Sequence, residues 1–203
     1  MTPGGATDQT VKTNRRDQES EMTETDEQGV AKFKVFIRGT MDQVWQELTK
    51  TDEVQKAMFN SRLDTPGLEP GAPLRMRSPD GRYTAVAGRV VECRRPLRFS
   101  HTFRFTNYDD PECTVIYDLE QMDDGVEFTL TIENLPVGTR TAKQMRQGGP
   151  WICNVLKSVV ETGRPPFMAR VLYPLMGLLA PLMTPKRCRS ELWPFTREPG
   201  TAA

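Results

Sequence analysis

The sequence predicts an α+β domain in which a curved antiparallel sheet is followed by one long helix. Three observations carry this prediction. Runs with a two-residue apolar period recur between residues 74 and 132, each closed by turn residues. After Pro136-Val137-Gly138 the period becomes helical and holds from Thr139 to Thr162. The chain has 203 residues, 37% of them hydrophobic, which is enough for one full core and little besides.

Composition also removes several functions. The 27 Lys plus Arg are balanced by 27 Asp plus Glu, which argues against a nucleic-acid binder acting by charge neutralisation. Cys93, Cys113, Cys153 and Cys188 form no CxxC pair and His101 is the only histidine, so no metal and no cofactor are expected. Scattered cysteines give no disulfide framework at this length. The start Met1-Thr2-Pro3-Gly4-Gly5 lacks the basic and apolar regions of a signal peptide, so the expected setting is reducing and cytoplasmic.

Residues 1–30 hold few large apolar side chains beyond Val11, Met22 and Val30, and acids outnumber bases. Such a segment buries too little to offset its ordering entropy, so it reads as a disordered acidic tail. Order begins at Ala31–Ile37, where Phe33, Val35 and Ile37 share one face of a strand. Thr40 or Asp42 can cap a short helix carrying Val44, Trp45 and Leu48, and a second short helix with Val54, Ala57 and Met58 is expected after a break near Thr51–Asp52. Leu63–Pro73 is rich in Pro and Gly and reads as a loop.

Strands are predicted at Leu74–Ser78, Tyr83–Arg94, Leu97–Phe105, Cys113–Gln121 and Val126–Ile132. The last shows the pattern best: Val126, Phe128, Leu130 and Ile132 face one way and Glu127, Thr129 and Thr131 the other. The long helix gathers Trp151, Ile152, Val155, Leu156, Val159 and Val160 on a broad apolar face, and Gly163-Arg164-Pro165-Pro166 stops it. Gly148-Gly149 lets it kink or approach the sheet closely.

Residues 165–203 form an apolar, then basic, C-terminal extension. Pro166–Met183 is strongly apolar but interrupted by Arg170, Pro174 and Pro181, marginal in length for a membrane span. Lys186-Arg187-Cys188-Arg189 and Trp193-Pro194-Phe195 follow, a basic and aromatic pairing found at membrane interfaces. The extension is left three placements: on its own domain or a second subunit, on a membrane surface as a peripheral contact through 166–195, or across the membrane.

Residues 31–164 carry a family likeness. Val44-Trp45-Gln46-Glu47-Leu48-Thr49, Gly88-Arg89-Val90-Val91-Glu92, Pro96-Leu97-Arg98-Phe99-Ser100, Val115–Glu120 with Gly125–Thr131, and Gly149-Pro150-Trp151 together resemble the SRPBCC (START-like) superfamily. Within it the chain is most similar to heat-shock chaperone ATPase activator homologues and polyketide-cyclase-like proteins. The resemblance implies a helix-grip fold, with the sheet wrapped around the long C-terminal helix and two short helices after the first strand. It specifies chemistry poorly, because such folds host ligand binders, cyclases, lipid carriers and chaperone-associated proteins. Phe59 and Thr131-Ile132-Glu133-Asn134 depart from the family pattern, the latter replacing a His-bearing strand exit.

A helix-grip fold leaves an apolar cavity between sheet and helix. The candidate ligand-binding residues are Phe99, His101, Phe103, Tyr117, Phe128, Trp151 and Val155. His101 sits in phase with Phe99 and Phe103; it could orient a ligand or act as base, or be a hydrogen-bonded structural histidine. No catalytic set is assigned, because His101 lacks a nucleophile and an orienting partner. The expected function is non-catalytic binding of a hydrophobic or amphipathic small molecule. The alternatives are a protein-interaction role through the charged ends, and a cyclase- or hydrolase-like enzyme using His101, Tyr117 and Glu92.

Overall fold

The computed structural model describes residues 22–26 and 29–196. Nine strands form one antiparallel sheet: β1 (Met22–Asp26), β2 (Val30–Ile37), β3 (Val54–Gln55), β4 (Ser61–Asp64), β5 (Pro73–Arg77), β6 (Thr84–Arg94), β7 (Arg98–Phe105), β8 (Cys113–Met122) and β9 (Gly125–Glu133). Their order across the sheet is β1-β2-β9-β8-β7-β6-β5-β4-β3. Three helices, α1 (Met41–Thr49), α2 (Arg140–Thr162) and α3 (Phe167–Met183), complete the fold. The sheet curls around α2, the arrangement that the resemblance implies.

The local chemistry explains most boundaries. Thr40 caps α1 with a full capping box, its hydroxyl accepting from Gln43 N while the Gln43 side chain accepts from Thr40 N. Thr139 caps α2 in the same hydroxyl-to-backbone way, and Gly163 ends it in the left-handed region at φ 72°. Val126, Phe128, Leu130 and Ile132 are all buried, as their alternation predicts. α2 approaches β2 so closely at Gly149 that a Cβ there would lie 2.2 Å from the Phe33 ring.

Three expectations are corrected. Met22–Asp26, expected within the disordered tail, is an edge strand paired with β2, because the outer edge of β2 offers an open ladder of backbone donors and acceptors. Of the rest of that tail, residues 1–21 and 27–28 lie outside the described residues, and Gly29 leads into Val30, the first residue of β2. The second short helix is replaced by β3 and a chain of turns, since Gln55 is buried and its amide donates to Leu48 O at 2.7 Å. Phe59 and Asn60 then take positive φ values of 54° and 60° to lead into β4, which occupies the start of the predicted loop.

The extension divides in two. Residues 167–183 are α3, with Ala169 and Tyr173 packed on Val155 of α2 and much of the remainder exposed. Pro174 and Pro181, expected to interrupt the apolar run, lie seven residues apart within the helix and fall on one exposed side where water can serve the freed carbonyls. After Pro185 the chain packs back on its own sheet. Cys188 and Trp193 are buried, Ser190 N donates to Arg82 O, and Arg187 pairs with Asp109. Arg75, fully buried in β5, donates to Trp193 O at 3.3 Å and Pro194 O at 3.0 Å, and also to Leu74 O and Gly88 O. Among the described residues no single helix is long and apolar enough to cross a membrane; α2 and α3 reach that measure only together, across a 112° bend.

His101 belongs to the core. It is fully buried on β7, with Phe99, Phe103 and Tyr117 ring centroids 5.7, 6.3 and 5.9 Å away. Its Nδ1–H donates to Thr102 O at 2.8 Å, which leaves Nε2 without a proton and without a partner. Burial pushes its pKa from 6.5 down to about 4.

Two predictions follow from this packing. Gly149→Ala destabilises the protein by about 1–3 kcal/mol despite alanine's better helix propensity, and Phe33→Leu in the same chain recovers most of that loss; urea unfolding of both single variants and the double variant measures the coupling. As pH falls below 6.5 the unfolded chain takes up the His101 proton first, so this contribution is complete above 6.5 and lost on the way to 4. Between those limits the wild type loses about 3 kcal/mol that a His101→Gln variant does not; unfolding midpoints of the two proteins across that range decide it.

Candidate functional site

The concave face of the sheet is filled at one end and vacant at the other. Under α1, Trp45 meets Phe99 edge-on at 6.4 Å, and Phe99, Tyr117 and Phe128 continue that packing inward. Beyond Phe103 the filling stops. A cavity of about 930 Å³ lies there, bounded by the sheet, the first half of α2, the turn at 58–61 and α3.

The walls are apolar: Phe103, Phe105, Val115, Leu130 and Ile132 from the sheet, Met145 and Ile152 from α2. Leu172, Met176, Leu179 and Met183, spaced for one face of a helix, close it from α3. Trp151 stacks on Phe59 with ring centroids 6.3 Å apart and planes 9° from parallel. Its indole N–H donates to the Tyr173 hydroxyl at 3.4 Å, which donates to Lys56 O at 2.8 Å, so one chain of polar contacts ties α2, α3 and the turn before β4. The two consecutive positive-φ residues, Phe59 and Asn60, are the strained part of the wall.

Polar side chains interrupt this apolar lining, among them Asn60, Arg77, Thr84, Thr106, Gln144 and Gln147, and two further polar atoms stand out. Ser61 Oγ and Asn107 Oδ1 are buried without a hydrogen-bond partner, and both residues line the cavity. They stand at the same end of the sheet, Ser61 at the start of β4 and Asn107 just past β7, with β5 and β6 between them. Arg77 lies opposite Arg62 on one side and Thr84 on the other, and the Thr106 hydroxyl donates to Thr84 O. A buried amide oxygen with no donor costs free energy that a bound donor would recover.

The expected site residues separate into two groups. Phe103, Tyr117 and Trp151 line the cavity; Phe99, His101, Phe128 and Val155 do not. Phe99, His101 and Phe128 share the inward face but lie in the filled end, and Val155 packs against Ala169 and Tyr173. The Tyr117 hydroxyl lies 3.7 Å from Met58 Sδ, and burial pushes its pKa well above the usual phenol value. Glu92 is held by Arg94 and Arg98. Burial pushes the Cys113 and Cys153 thiols up to about 12, which keeps them un-ionised and unreactive. Among the described residues no group of three or more His, Cys, Asp or Glu is placed to hold a metal ion.

Sequence reasoning missed Ser61, Asn107, Phe59 and the α3 wall. The spacing of Leu172, Met176, Leu179 and Met183 was the available signal for α3, obscured by Pro174 and Pro181. Nothing in the sequence marks Ser61 or Asn107 among many turn residues of the same type.

Known structures share this architecture. DynU16, from the dynemicin biosynthetic locus, superposes with a TM-score of 0.56 at 22% identity, covering 68% of this chain and 49% of that one. The match therefore spans about half of DynU16's own length. CalU16 from Micromonospora echinospora gives a TM-score of 0.52 at 14% identity, covering 74% of this chain and 87% of that one. The Aha1 dimer from Colwellia psychrerythraea gives 0.53 at 15% identity, covering 66% and 98%. At these identities the likeness is one of fold. Comparison with curated proteins finds no match. The family model for Activator of Hsp90 ATPase homolog 1-like proteins matches residues 38–161, the span from the end of β2 to the last turn of α2, and the chain belongs to that family.

Proposed function

We propose that the protein binds an amphipathic small molecule in the cavity between sheet, α2 and α3, without transforming it. The observation that carries this reading is the cavity itself: about 930 Å³, apolar on most sides, with Ser61 Oγ and Asn107 Oδ1 unpaired at one end. That volume suits a drug-sized molecule, and the paired features ask for an apolar body and a hydrogen-bonding end. Asn107 Oδ1 can only accept, so the ligand presents a donor to it. The Ser61 hydroxyl takes either role.

Of the residues named for the enzyme alternative, Tyr117 lines the cavity but the other two do not serve it. His101 stands outside the cavity with Nδ1 committed to Thr102, and Glu92 is occupied by arginines. A general base must reach the proton that it removes. The family description favours a second reading, contact with a chaperone partner, in which the N-terminal tail or the basic segment after α3 serves as the contact surface.

Native mass spectrometry of the full-length protein, followed by denaturing extraction, is expected to release an amphiphile that co-purifies in reproducible amount. Asn107→Leu lowers affinity for that molecule by about fivefold to tenfold, Ile132→Phe reduces occupancy by filling the cavity, and His101→Gln leaves affinity unchanged. A protein that stays empty with a lipid and aromatic library contradicts the cavity reading. Pull-down of a chaperone by full-length protein, lost on removal of residues 1–21, would then favour the second.

A further inference from the structure

We propose that α3 docks the protein on an anionic membrane surface, lying flat with its outward side in the headgroup layer. At about 100° per residue, Phe167, Met168, Val171, Leu178 and Leu182 fall within an arc of about 100°. All five are exposed, Phe167 at 72%, Leu178 at 75% and Leu182 at 84%. This arc adjoins the one that closes the cavity with Leu172, Met176, Leu179 and Met183, and Leu175, half-exposed, belongs to both. The helix is therefore apolar over about half its circumference, and the outer five side chains are not covered.

Charge says what covers the other. From residue 163 to residue 196 the chain carries Arg164, Arg170, Lys186, Arg187 and Arg189 against the single carboxylate of Glu191. Arg164 and Lys186 are exposed just beyond the two ends of α3, and Arg170 is exposed on the helix itself. An apolar stripe framed by cations matches the interface of a bilayer containing anionic lipid. A second copy of the chain fits less well, because pairing two such stripes brings six of these cations together. Residues 1–21 offer only Met1 and Val11 as large apolar side chains, too little to cover the stripe. The proposal stands whether or not the cavity holds a ligand, since none of the five stripe residues lines it.

Flotation of the full-length protein with vesicles tests this. Binding is expected to vesicles of phosphatidylcholine with about 30% phosphatidylserine, weakening as salt is raised, and much less to phosphatidylcholine alone. Leu178→Glu with Leu182→Glu should lower binding by about tenfold or more with an unchanged melting temperature, because both side chains stand in solvent. Arg170→Glu with Lys186→Glu should abolish the preference for anionic vesicles. Absence of binding to either vesicle overturns the proposal, as does a Leu178→Glu, Leu182→Glu variant that binds like the wild type. A dimer in sedimentation velocity that this variant dissolves, without vesicle binding, assigns the stripe to self-association instead.

Discussion

The cavity depends on how α3 is held, and α3 is held at its ends. At its start Ala169 and Tyr173 pack on α2, with the Tyr173 hydroxyl bonded to Lys56 O. At its far end the chain is strapped to β5 and β6 by Arg75, whose guanidinium reaches the Trp193 and Pro194 carbonyls. A buried guanidinium is tolerable only when its donors are used, and four carbonyls use them here. Between these anchors the helix passes over vacant space. Had residues 184–194 followed another path, the concave face beyond Phe103 would lie open to water.

The vacancy has its own cause. Alternation along β7, β8 and β9 sends a continuous row of large side chains inward, but only part of that row has something to meet. α1 supplies Trp45, Val44 and Leu48 to one end, where Phe99 and Phe128 become ordinary core. Among the described residues no element of comparable bulk reaches the other end, where the middle of α2 carries the small residues Gly148 and Gly149 and so brings its backbone, not a side chain, against Phe33 and Phe59. The same close approach that seats the helix leaves space beside it.

This division explains what was legible in the sequence. Strands β2 and β5 to β9, their inward faces, a cap for α1 at Thr40 or Asp42 and the end of α2 at Gly163 rest on local chemistry and two-residue or helical periods, and these were readable, whereas β1, β3 and β4 were not. Which inward residues face a ligand space is a tertiary fact: Phe99 and Phe103 are indistinguishable by pattern, and only α1 separates them. His101 illustrates the same limit, since its position in the stripe was evident but the bulk around it was not. Val54–Met58 misled because apolar spacing in so short a run fits a turn as well as a helix. α3 was hidden by prolines that proved to share one solvent side.

A helix with a broad apolar face and two internal prolines has little stability of its own and takes its shape from what it touches. α3 touches the body through a small cluster around Tyr173 and through the residues that close the cavity, while the sheet beneath it is locked by continuous ladders. The least costly way to open the cavity is therefore to displace α3 and leave the sheet intact. Tyr173 and the Arg75 strap set how far that displacement can go: the first resists movement of the start of the helix, the second keeps its far end tethered. Contents of the cavity and contacts on the outer stripe act on adjoining faces of this one element, so a change in either alters the free energy of moving it for the other.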